Sequence, residues 1–333
     1  MKLETLRTPC LVVGAGPAGA TVARLLALKG REVILADPGA ATATRLELLA
    51  PASLATVAAV GLEPLLNDPA VARRCCGIRR TRGSGETDYV DFLRHPYRLG
   101  YVVDRARFDG RLRAAAIDAG VTFRRLRATG VAPDGGIIFR ESVSGVTTLI
   151  RADVVVDATG RAAAIGRRRG ARVIARDRRV AELVENIDSS PNAGASWLDY
   201  RSDGSSWSYR IHGPGGRAQT WRIRPSRTRA GTVLRTVDAS ASLLSEAAGE
   251  GWIAVGDAAI AFDPIASQGL FNALSSALVA TGTLLSADQL SPTAAKSYSD
   301  AATATFLLSE AGRDKVYGNR AWPGRFLQNR PDF

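Results

Sequence analysis

The sequence predicts an α/β fold that carries a second, antiparallel sheet. Three features of the 333-residue chain support this prediction. A glycine-rich turn near the N-terminus joins an apolar strand to a helix rich in Ala and Leu. Strands alternate with helices again in two later parts of the chain, and the intervening segments are short, aromatic and rich in Arg, with frequent Ser and Gly. Alternating elements indicate a largely parallel sheet, whereas successive short strands indicate an antiparallel one.

The N-terminal residues predict a βαβ unit. Apolar runs indicate strands at residues 10–14 and 32–37, and a helical pattern covers residues 17–29 between them. Residues 46–60 then have the spacing of a helix. The more polar residues 73–91 indicate irregular structure or an edge strand.

The rest of the chain continues the same pattern. Gly135, Gly136 and Gly145 indicate the turns of a small antiparallel hairpin or meander. Six other elements are predicted, namely strands at 101–103, 121–126, 154–156 and 252–255 and helices at 107–119 and 269–285. Residues 171–235 have the pattern of an antiparallel sheet.

These elements predict a discontinuous, Rossmann-like cofactor-binding domain beside a smaller sheet domain. The cofactor-binding domain would comprise residues 1–60, 100–170 and 250–290. The sheet domain would cover the substrate and comprise residues 61–99 and 171–249, followed by a C-terminal helix and tail at 291–333.

The glycine-rich turn has the pattern of a dinucleotide site, and its residues are Gly14, Ala15, Gly16, Pro17, Ala18 and Gly19. Gly14 allows the tight turn, Gly16 leaves room for a pyrophosphate, and Gly19 lets helix and strand pack closely. The N–H groups at the start of the helix favour an anion. Asp37 ends the second strand, where a carboxylate accepts hydrogen bonds from ribose hydroxyls.

Composition narrows the range of partners and cofactors. The net charge of +12 comes mainly from scattered Arg residues, and no nucleic-acid-binding motif accompanies it, so we expect no nucleic acid. The cysteines and histidines lack the spacing of a metal site, so no metal is expected. The N-terminus has no signal-peptide pattern, and polar residues interrupt the uncharged segment 264–287. We therefore expect a cytoplasmic protein without stable membrane insertion.

Four further strings indicate which dinucleotide is bound. They are Asp104 to Asp109, Asp157-Ala158-Thr159-Gly160, Trp252 to Asp257, and Pro264 with Gln268-Gly269-Leu270. In order and spacing they resemble the flavoprotein monooxygenases with the p-hydroxybenzoate hydroxylase fold, over nearly the whole chain. The resemblance implies that the cofactor is FAD.

The same resemblance assigns roles to individual residues. It implies that Asp257 binds the ribityl chain, that Arg105 reaches the flavin, and that the helix beginning at Gly269 points its N–H groups at the isoalloxazine. Arg45 and Glu47 resemble the segment beside the pyrophosphate. The remaining cofactor-binding residues that it implies are Gly160, Gly256, Pro264, Gln268 and Leu270.

Within this family the chain resembles the branch that contains the tryptophan halogenases. Those enzymes carry a Trp-x-Trp-x-Ile-Pro string and a lysine after the first βαβ unit. Here residues 220–225 read Thr-Trp-Arg-Ile-Arg-Pro, and no lysine lies between Lys29 and Lys296. Halogenation is therefore disfavoured.

A closer resemblance is to the flavoprotein maturases that hydroxylate a protein tryptophan during tryptophylquinone formation. It rests on the strings at residues 91–105, 263–269 and 317–323, together with Phe326. The chain is shorter than such maturases, and the shortfall falls in the sheet region. The substrate therefore stays open.

We expect an FAD-dependent monooxygenase that hydroxylates an electron-rich aromatic group through a flavin C4a-hydroperoxide. The substrate would be an aromatic small molecule or a tryptophan of a partner protein or peptide, and NAD(P)H or a separate flavin reductase would reduce the flavin. The pocket would form at Pro264, Ser267 and Gln268, and no catalytic side chain is identified because the flavin supplies the chemistry.

Other functions and residue roles stay open at this point. An FAD-dependent reductase or dehydrogenase, a halogenase and a non-catalytic flavin-fold scaffold are the alternatives to a monooxygenase. Aromatic residues in the sheet could contact a ring or only pack in the core, and they are Trp197, Trp207, Tyr209 and Trp221, with His212 nearby.

Overall fold

A computed structural model describes residues 3–39, 44–141, 144–188, 196–202, 206–226, 232–286 and 289–317. The predicted C-terminal string at 317–323 and Phe326 lie outside these residues, except for Tyr317.

Within the described residues, the strands form three sheets, of seven, nine and three strands, and helices lie between the strands along the chain. The strands are β1 (Leu3–Val13), β2 (Val33–Asp37), β3 (Leu46–Leu49), β4 (Ala72–Thr81), β5 (Thr87–Asp91), β6 (Gly100–Asp104), β7 (Thr122–Val131), β8 (Ile137–Glu141), β9 (Thr147–Asp157), β10 (Val173–Ala175), β11 (Arg179–Asp188), β12 (Ser196–Ser202), β13 (Trp207–His212), β14 (Arg217–Pro225), β15 (Arg235–Asp238), β16 (Ser242–Leu244), β17 (Ala248–Gly249), β18 (Trp252–Ala254) and β19 (Ile260–Ala261). The helices are α1 (Pro17–Ala27), α2 (Leu54–Ala59), α3 (Glu63–Leu66), α4 (Arg105–Asp118), α5 (Ala164–Arg168), α6 (Gly269–Leu285) and α7 (Pro292–Tyr317).

The first sheet is built around parallel strands. Hydrogen-bonded neighbours run in the order β7, β2, β1, β9, β18, and every one of these pairs is parallel. Strand β8 pairs antiparallel with β7 and β9, and β17 pairs antiparallel with β18. Leu11, Val12 and Val156 in the middle strands are fully buried, because helices or further strands cover both faces of such a sheet.

Helix α1 lies at the centre of the helical layer. It contacts both α4 and α6, and this close packing is possible because its buried face carries small residues such as Ala20 and Ala23. Helix α7 packs on the far end of the same sheet, where the Tyr298 hydroxyl donates to the Ala254 carbonyl at 2.8 Å. Among the described residues, no helix is both long and apolar enough to cross a membrane.

The second sheet has nine strands, of which eight run in the order β15, β11, β14, β13, β12, β4, β6, β3, with β5 paired to β4. All of its pairs are antiparallel except β4 with β12. Side chains alternate along β13, so that Trp207, Tyr209 and Ile211 point to one face of the sheet and Ser208, Arg210 and His212 to the other. The α/β fold with a second, mainly antiparallel sheet is therefore confirmed.

One of the predicted elements is wrong, and another is right only in part. Residues 46–60 do not form one helix, since Leu46–Leu49 is strand β3 and the helix α2 begins only at Leu54. Pro51 lacks an N–H group and cannot lie inside a helix, and β3 gains backbone partners from β6. Residues 73–91, predicted as irregular structure or an edge strand, contain β4 and β5. Strand β4 lies inside the sheet and pairs with β5, β6 and β12, whereas β5 is an edge strand that pairs with β4 alone among the described strands.

Two strands from the segments predicted for the cofactor-binding domain pair in the nine-stranded sheet. Strand β6 was assigned to that domain, but it pairs with β3 and β4 in the nine-stranded sheet. Strand β3, at 46–49, belongs to this second sheet as well. Both segments therefore reach from one sheet to the other, and β6 leads directly into α4 of the helical layer.

Candidate active site

The glycine-rich turn follows β1, and its three glycines differ in what an added Cβ would contact. Gly14 has φ +106°, and a Cβ there would lie 2.2 Å from the Ala158 carbonyl oxygen. A Cβ on Gly19 would lie 1.9 Å from the Gly14 oxygen. A Cβ on Gly16, by contrast, would meet nothing within 4 Å. Gly14 and Gly19 are thus required by the protein itself, while the space in front of Gly16 is open.

The start of α1 is suited to bind an anion. Gly16 is the N-cap residue, and Pro17 occupies the first helical position without a side-chain hydrogen bond capping the helix. The first N–H groups of such a helix have no partner within it, and they carry the positive end of the helix dipole. Together with the open space at Gly16, this forms a cradle of the size and charge that a pyrophosphate requires.

Asp37, at the end of β2, stabilises this turn and still has lone pairs that a ligand's hydrogen-bond donors can use. Its Oδ2 accepts from the Ala15 N–H at 2.9 Å, and its Oδ1 accepts from the Gly39 N–H at 2.7 Å. An ionised carboxylate offers about four lone-pair positions. The predicted hydrogen bonds to ribose hydroxyls are therefore compatible with these two contacts.

The loop after β9 is fixed by its own carboxylate. Asp157 is fully buried and accepts from the N–H groups of Thr159, Ile165 and Gly166 at 2.8–3.0 Å. These bonds hold Ala158 against Gly14. Gly160 has φ +65°, with open space beside it. Asp157 thus shapes the loop, and the cofactor role of Gly160 stays a prediction.

Gly256 and Asp257 connect the glycine-rich turn to a deep cavity. A Cβ on Gly256, which has φ +58°, would lie 2.9 Å from the Ala18 Cβ, and the Gly256 N–H donates to Ser276 Oγ at 2.8 Å. The next residue, Asp257, lines the cavity. Gly256 therefore packs against α1, and the residue that follows it reaches the cavity.

The surroundings of Asp257 disfavour the ionised form of its carboxyl group. The walls of the cavity bury the carboxyl, although 38% of the side chain stays accessible, and this burial raises its pKa. Arg161 Nε lies 3.7 Å from Asp257 Oδ2 and partly offsets the effect. A neutral hydroxylated chain is a better neighbour for such a carboxyl than a second anion.

The end of the cavity is formed by the segment before α6. Asp263, Pro264, Ser267, Gln268, Gly269 and Leu270 all line it. Ser267 has φ +46°, a backbone conformation that costs about 1–2 kcal/mol for a residue with a Cβ. The 17-residue helix α6 begins at Gly269 and has no side-chain cap at its N-terminus. Its first N–H groups are available to a ligand in the cavity.

Arg105, which was predicted to reach the flavin, is paired with two carboxylates. Its Nη1 donates to Glu47 at 2.8 Å, and its Nε and Nη2 donate to Asp109 at 2.9 and 3.0 Å. Burial acts to raise the pKa of Glu47, but the charges of Arg105 and Arg45 outweigh it and the pKa is lowered. Arg45 and Glu47 line the cavity, so Arg105 acts on the site through Glu47, and its predicted contact with a flavin stays untested.

The nine-stranded sheet supplies an aromatic wall opposite α6. The cavity has a volume of about 630 Å³ and contains Trp207, Tyr209, Trp221 and Tyr200 on this side. Trp207 lies 5.5 Å from Tyr200 and 5.8 Å from Tyr209 between ring centroids. The Trp221 indole N–H donates to Gln219 Oε1 at 3.1 Å, so its polar atom is already satisfied.

The other two predicted ring contacts lie elsewhere. His212 alternates with Ile211 and points to the opposite face of the sheet, as does Trp197 beside Leu198. Trp197 packs edge-on against Tyr89 at 5.7 Å. Successive side chains of a strand point to opposite faces of the sheet, and this alternation decides which aromatic residues reach the cavity. Once one residue of a strand is known to face the cavity, the others follow from the sequence.

Sequence reasoning missed several cavity residues, among them Tyr200 and Lys315. Tyr200 lies on β12, which pairs with the strand that carries Trp207 and Tyr209. Lys315 lines the cavity from the last turns of α7, although it lies far along the chain from the other residues of the site. No lysine lies between Lys29 and Lys296. Lys315 lies after this interval, so the cavity does contain a lysine side chain.

The residues present fit FAD. A pyrophosphate is suited by the open space at Gly16 and the uncapped N-terminus of α1, and a ribose by the spare acceptors of Asp37. The cavity with Asp257 and the uncapped N-terminus of α6 suits a ring at the far end of an extended dinucleotide. A dinucleotide-binding βαβ unit joined to a sheet that encloses a cavity defines a flavoprotein of the two-domain oxidoreductase type.

The family model described as "FAD binding domain" matches residues 7–241. The chain therefore belongs to this family, and its cofactor is FAD. It is an FAD-dependent oxidoreductase.

Similar proteins include both reductases and oxygenases. Digeranylgeranylglycerophospholipid reductase 2 of Methanosphaera stadtmanae is 31% identical over 167 residues, which cover 49% of this chain and 42% of the relative. The match thus spans less than half the length of that protein. A geranylgeranyl bacteriochlorophyll reductase-like protein from Thermoplasma acidophilum superposes with a TM-score of 0.79 at 21% identity, over 96% of this chain and 89% of the other.

A third similar protein is an oxygenase. A peptidyl tryptophan dihydroxylase essential for tryptophylquinone cofactor biogenesis superposes with a TM-score of 0.74 at 24% identity, over 96% of this chain and 77% of the other. At this identity the likeness shows the fold alone. The expected flavoprotein fold is confirmed, while the reaction has to be inferred from the cavity.

Proposed function

We propose that the protein is an FAD-dependent monooxygenase that hydroxylates an electron-rich aromatic group. The observation that carries this proposal is the aromatic wall of the cavity, where the Trp207 ring forms tilted pairs with Tyr200 and Tyr209 and the N-terminal residues of α6 line the same cavity. Aromatic pairs prefer ring centroids 4.5–7 Å apart, and a substrate ring can pack against such a pair.

The residues of the cavity bind the substrate ring, orient it and exclude water from it. Bound FAD supplies the exchange of electrons with oxygen and substrate. The N-terminus of α6 provides N–H donors and a positive dipole end at one side of the cavity. On the other side, Leu198 and Ile211 supply apolar surface between the aromatic rings. This arrangement holds an uncharged ring away from bulk water.

The substrate class follows from the size and chemistry of the cavity. About 630 Å³ must hold both the flavin ring and the substrate, and this leaves room for a small aromatic molecule or one tryptophan side chain of a partner protein or peptide. NAD(P)H or a separate flavin reductase supplies the electrons in this proposal. A second nucleotide-binding turn is absent from the sequence, which favours the separate reductase.

A second candidate function is the reduction of a carbon–carbon double bond in an isoprenoid lipid. The 31% identical relative carries this activity in its name, and the cavity wall includes apolar residues such as Ile78 and Val90 that suit an isoprenoid chain. The two functions differ in their use of oxygen, because a reductase consumes none.

The deciding experiment uses the purified holoenzyme, reduced without oxygen and then mixed with ¹⁸O₂ in the presence of one substrate at a time. The substrates are indole, a tryptophan-containing peptide, a phenol and a geranylgeranyl lipid, each with and without bromide. Mass spectrometry follows the products. The proposal expects a gain of one ¹⁸O atom in an aromatic substrate.

The other outcomes each contradict the proposal in a distinct way. A gain of two hydrogens in the lipid without oxygen supports the reductase. Incorporation of bromine supports a halogenase, in which case Lys315 is the residue to test by the Lys315→Met substitution. A purified protein that is colourless and takes up no added FAD would contradict flavin binding itself.

A further inference from the structure

A buried cluster of charges joins α7 to the segment that forms the end of the cavity. It contains Arg176, Arg179 and Arg313 together with Asp177, Asp263, Glu310 and Asp314. Only Asp263 of this cluster belongs to the cavity-lining segment before α6. Within the cluster, the contact between Arg313 and Asp263 therefore links α7 to the cavity.

Asp263 uses its two oxygens for two different tasks. Oδ1 accepts from the Ile265 N–H at 3.0 Å and so shapes the turn through Pro264. Oδ2 accepts from Arg313 Nε at 2.8 Å. The side chain of Asp263 is 2% exposed and that of Arg313 is 6% exposed, so neither interaction competes with bulk water. One carboxylate thus ties the backbone of the turn to α7.

Arg313 is held in a single orientation. Besides Asp263 it contacts Glu310 at 3.3 Å and Asp177. These three carboxylates lie on three different elements, namely α7 itself, the connection before β11, and the turn before α6. A planar guanidinium with five donors can bind all three at once, whereas a lysine ammonium cannot reproduce the geometry.

The turn that Asp263 shapes needs such support. Ser267 adopts φ +46° three residues before Leu270, and a strained backbone persists only when its surroundings hold it. A second contact from the same helix reaches this turn, since Ser309 Oγ lies 3.5 Å from Gln268 Oε1. Helix α7 therefore contacts both ends of the segment before α6, at Asp263 and at Gln268.

We infer that Arg313 is a positioning residue, which acts through Asp263 to fix the turn at Pro264–Ala266 and the N-terminus of α6 against bound FAD. Arg313 is absent from the cavity lining, so it touches neither the ring nor the substrate. This inference requires FAD binding but not oxygenation, and it holds equally for a reductase.

The matched test compares Arg313→Lys with Arg176→Lys. Arg176 is equally buried and binds Glu310 and Asp314 in the same cluster, so it serves as the control for a purely structural effect. Holoenzyme of each variant is examined by the visible spectrum of the bound flavin and by fluorescence titration of the apoprotein with FAD. Thermal unfolding of the apoprotein reports stability separately.

We expect both variants to lower apoprotein stability, and only Arg313→Lys to weaken FAD binding and alter the flavin spectrum. The FAD dissociation constant should rise by about fivefold or more, which is the usual range for one coupling contact between two sites. Equal dissociation constants and spectra for the two variants would overturn the inference and leave the cluster a structural one.

A second variant covers the case in which Arg313→Lys does not fold. Asp263→Asn retains the oxygen that accepts from the Ile265 N–H but removes the charge that binds Arg313. The same rise in the FAD dissociation constant is expected. Because neither readout involves a substrate, a failure of this inference is distinguishable from a failure of the proposed hydroxylation.

Discussion

Gly16 and Gly14 lie two residues apart in one turn, yet substituting Gly16 should weaken FAD binding, whereas substituting Gly14 should lower the stability of the apoprotein. Gly16 has φ −72° and ψ −175°, an extended conformation open to any residue, and its Cβ would enter open space. We expect Gly16→Ala to leave the free energy of unfolding of the apoprotein within about 1 kcal/mol of the original. The added methyl group lies where the pyrophosphate approaches, so FAD binding should suffer instead.

The loss of affinity can be estimated. A pyrophosphate pushed out of the cradle loses charge-assisted hydrogen bonds to the first N–H groups of α1, each of which contributes about 1.5–3 kcal/mol. Loss of one such bond raises the dissociation constant of FAD by about 10- to 150-fold, and loss of two raises it by at least about 100-fold. Fluorescence titration of the apoprotein measures this directly.

Gly14→Ala serves as the internal contrast. The backbone at φ +106° disfavours any Cβ by about 1–2 kcal/mol, and the Cβ would also lie 2.2 Å from the Ala158 oxygen. We therefore expect the apoprotein itself to lose at least about 2 kcal/mol of stability in urea unfolding. If Gly16→Ala bound FAD normally, or destabilised the apoprotein as much as Gly14→Ala, the assignment of the cradle would be refuted.

Three further predictions concern single residues of the site. Burial raises the pKa of Asp257, so the folded apoprotein holds this proton more tightly than the unfolded chain, and its stability should fall as the pH rises from the usual carboxyl range through the raised pKa. Asp257→Asn should remove that fall. Asp37→Ala leaves the Ala15 N–H without its acceptor and should cost about 1–3 kcal/mol of stability. Trp207→Leu should raise the KM for an aromatic substrate about tenfold, from the loss of one ring contact, without changing FAD affinity, whereas Trp221→Phe should mainly lower stability.

Each of these predictions has its own control. Urea unfolding of the apoprotein across pH compares Asp257→Asn with the original chain, and identical pH slopes would contradict the role given to burial. Asp37→Asn retains an acceptor oxygen and should be milder than Asp37→Ala. For the tryptophans, steady-state kinetics with aromatic substrate is paired with FAD titration, and an unchanged KM in Trp207→Leu would remove that ring from the substrate site.

The cofactor turn could be predicted from the sequence because its constraints are local. Gly14, Gly16, Gly19 and Asp37 lie in one βαβ unit, where steric limits on the backbone and the N-terminus of a helix act within a few residues of each other. The long helix α6 at Gly269–Leu285 was predicted with the same bounds for the same reason. Its apolar residues form an unbroken helical pattern that no proline or charge interrupts.

The sheet that encloses the substrate could not be predicted in this way. Strand β3 was read as a helix since the four residues 46–49 carry no distinguishing pattern, and only pairing with β6 makes them a strand. The register likewise decides that Trp207 faces the cavity and that Trp197 does not. Strand pairing is a contact between distant parts of the chain, so no local sequence pattern specifies it.

The sequence by itself therefore determined the cofactor, because FAD is recognised by short motifs whose geometry is local. Only the tertiary structure decided what surrounds the reacting end of that cofactor. It brings Lys315 of α7 to a site formed by residues 45–47 and 257–270, joins Arg313 to Asp263, and pairs Arg105 with Glu47. Ion pairs and cavity walls arise from packing between distant elements, and such packing exists only once the two sheets and α7 have come together.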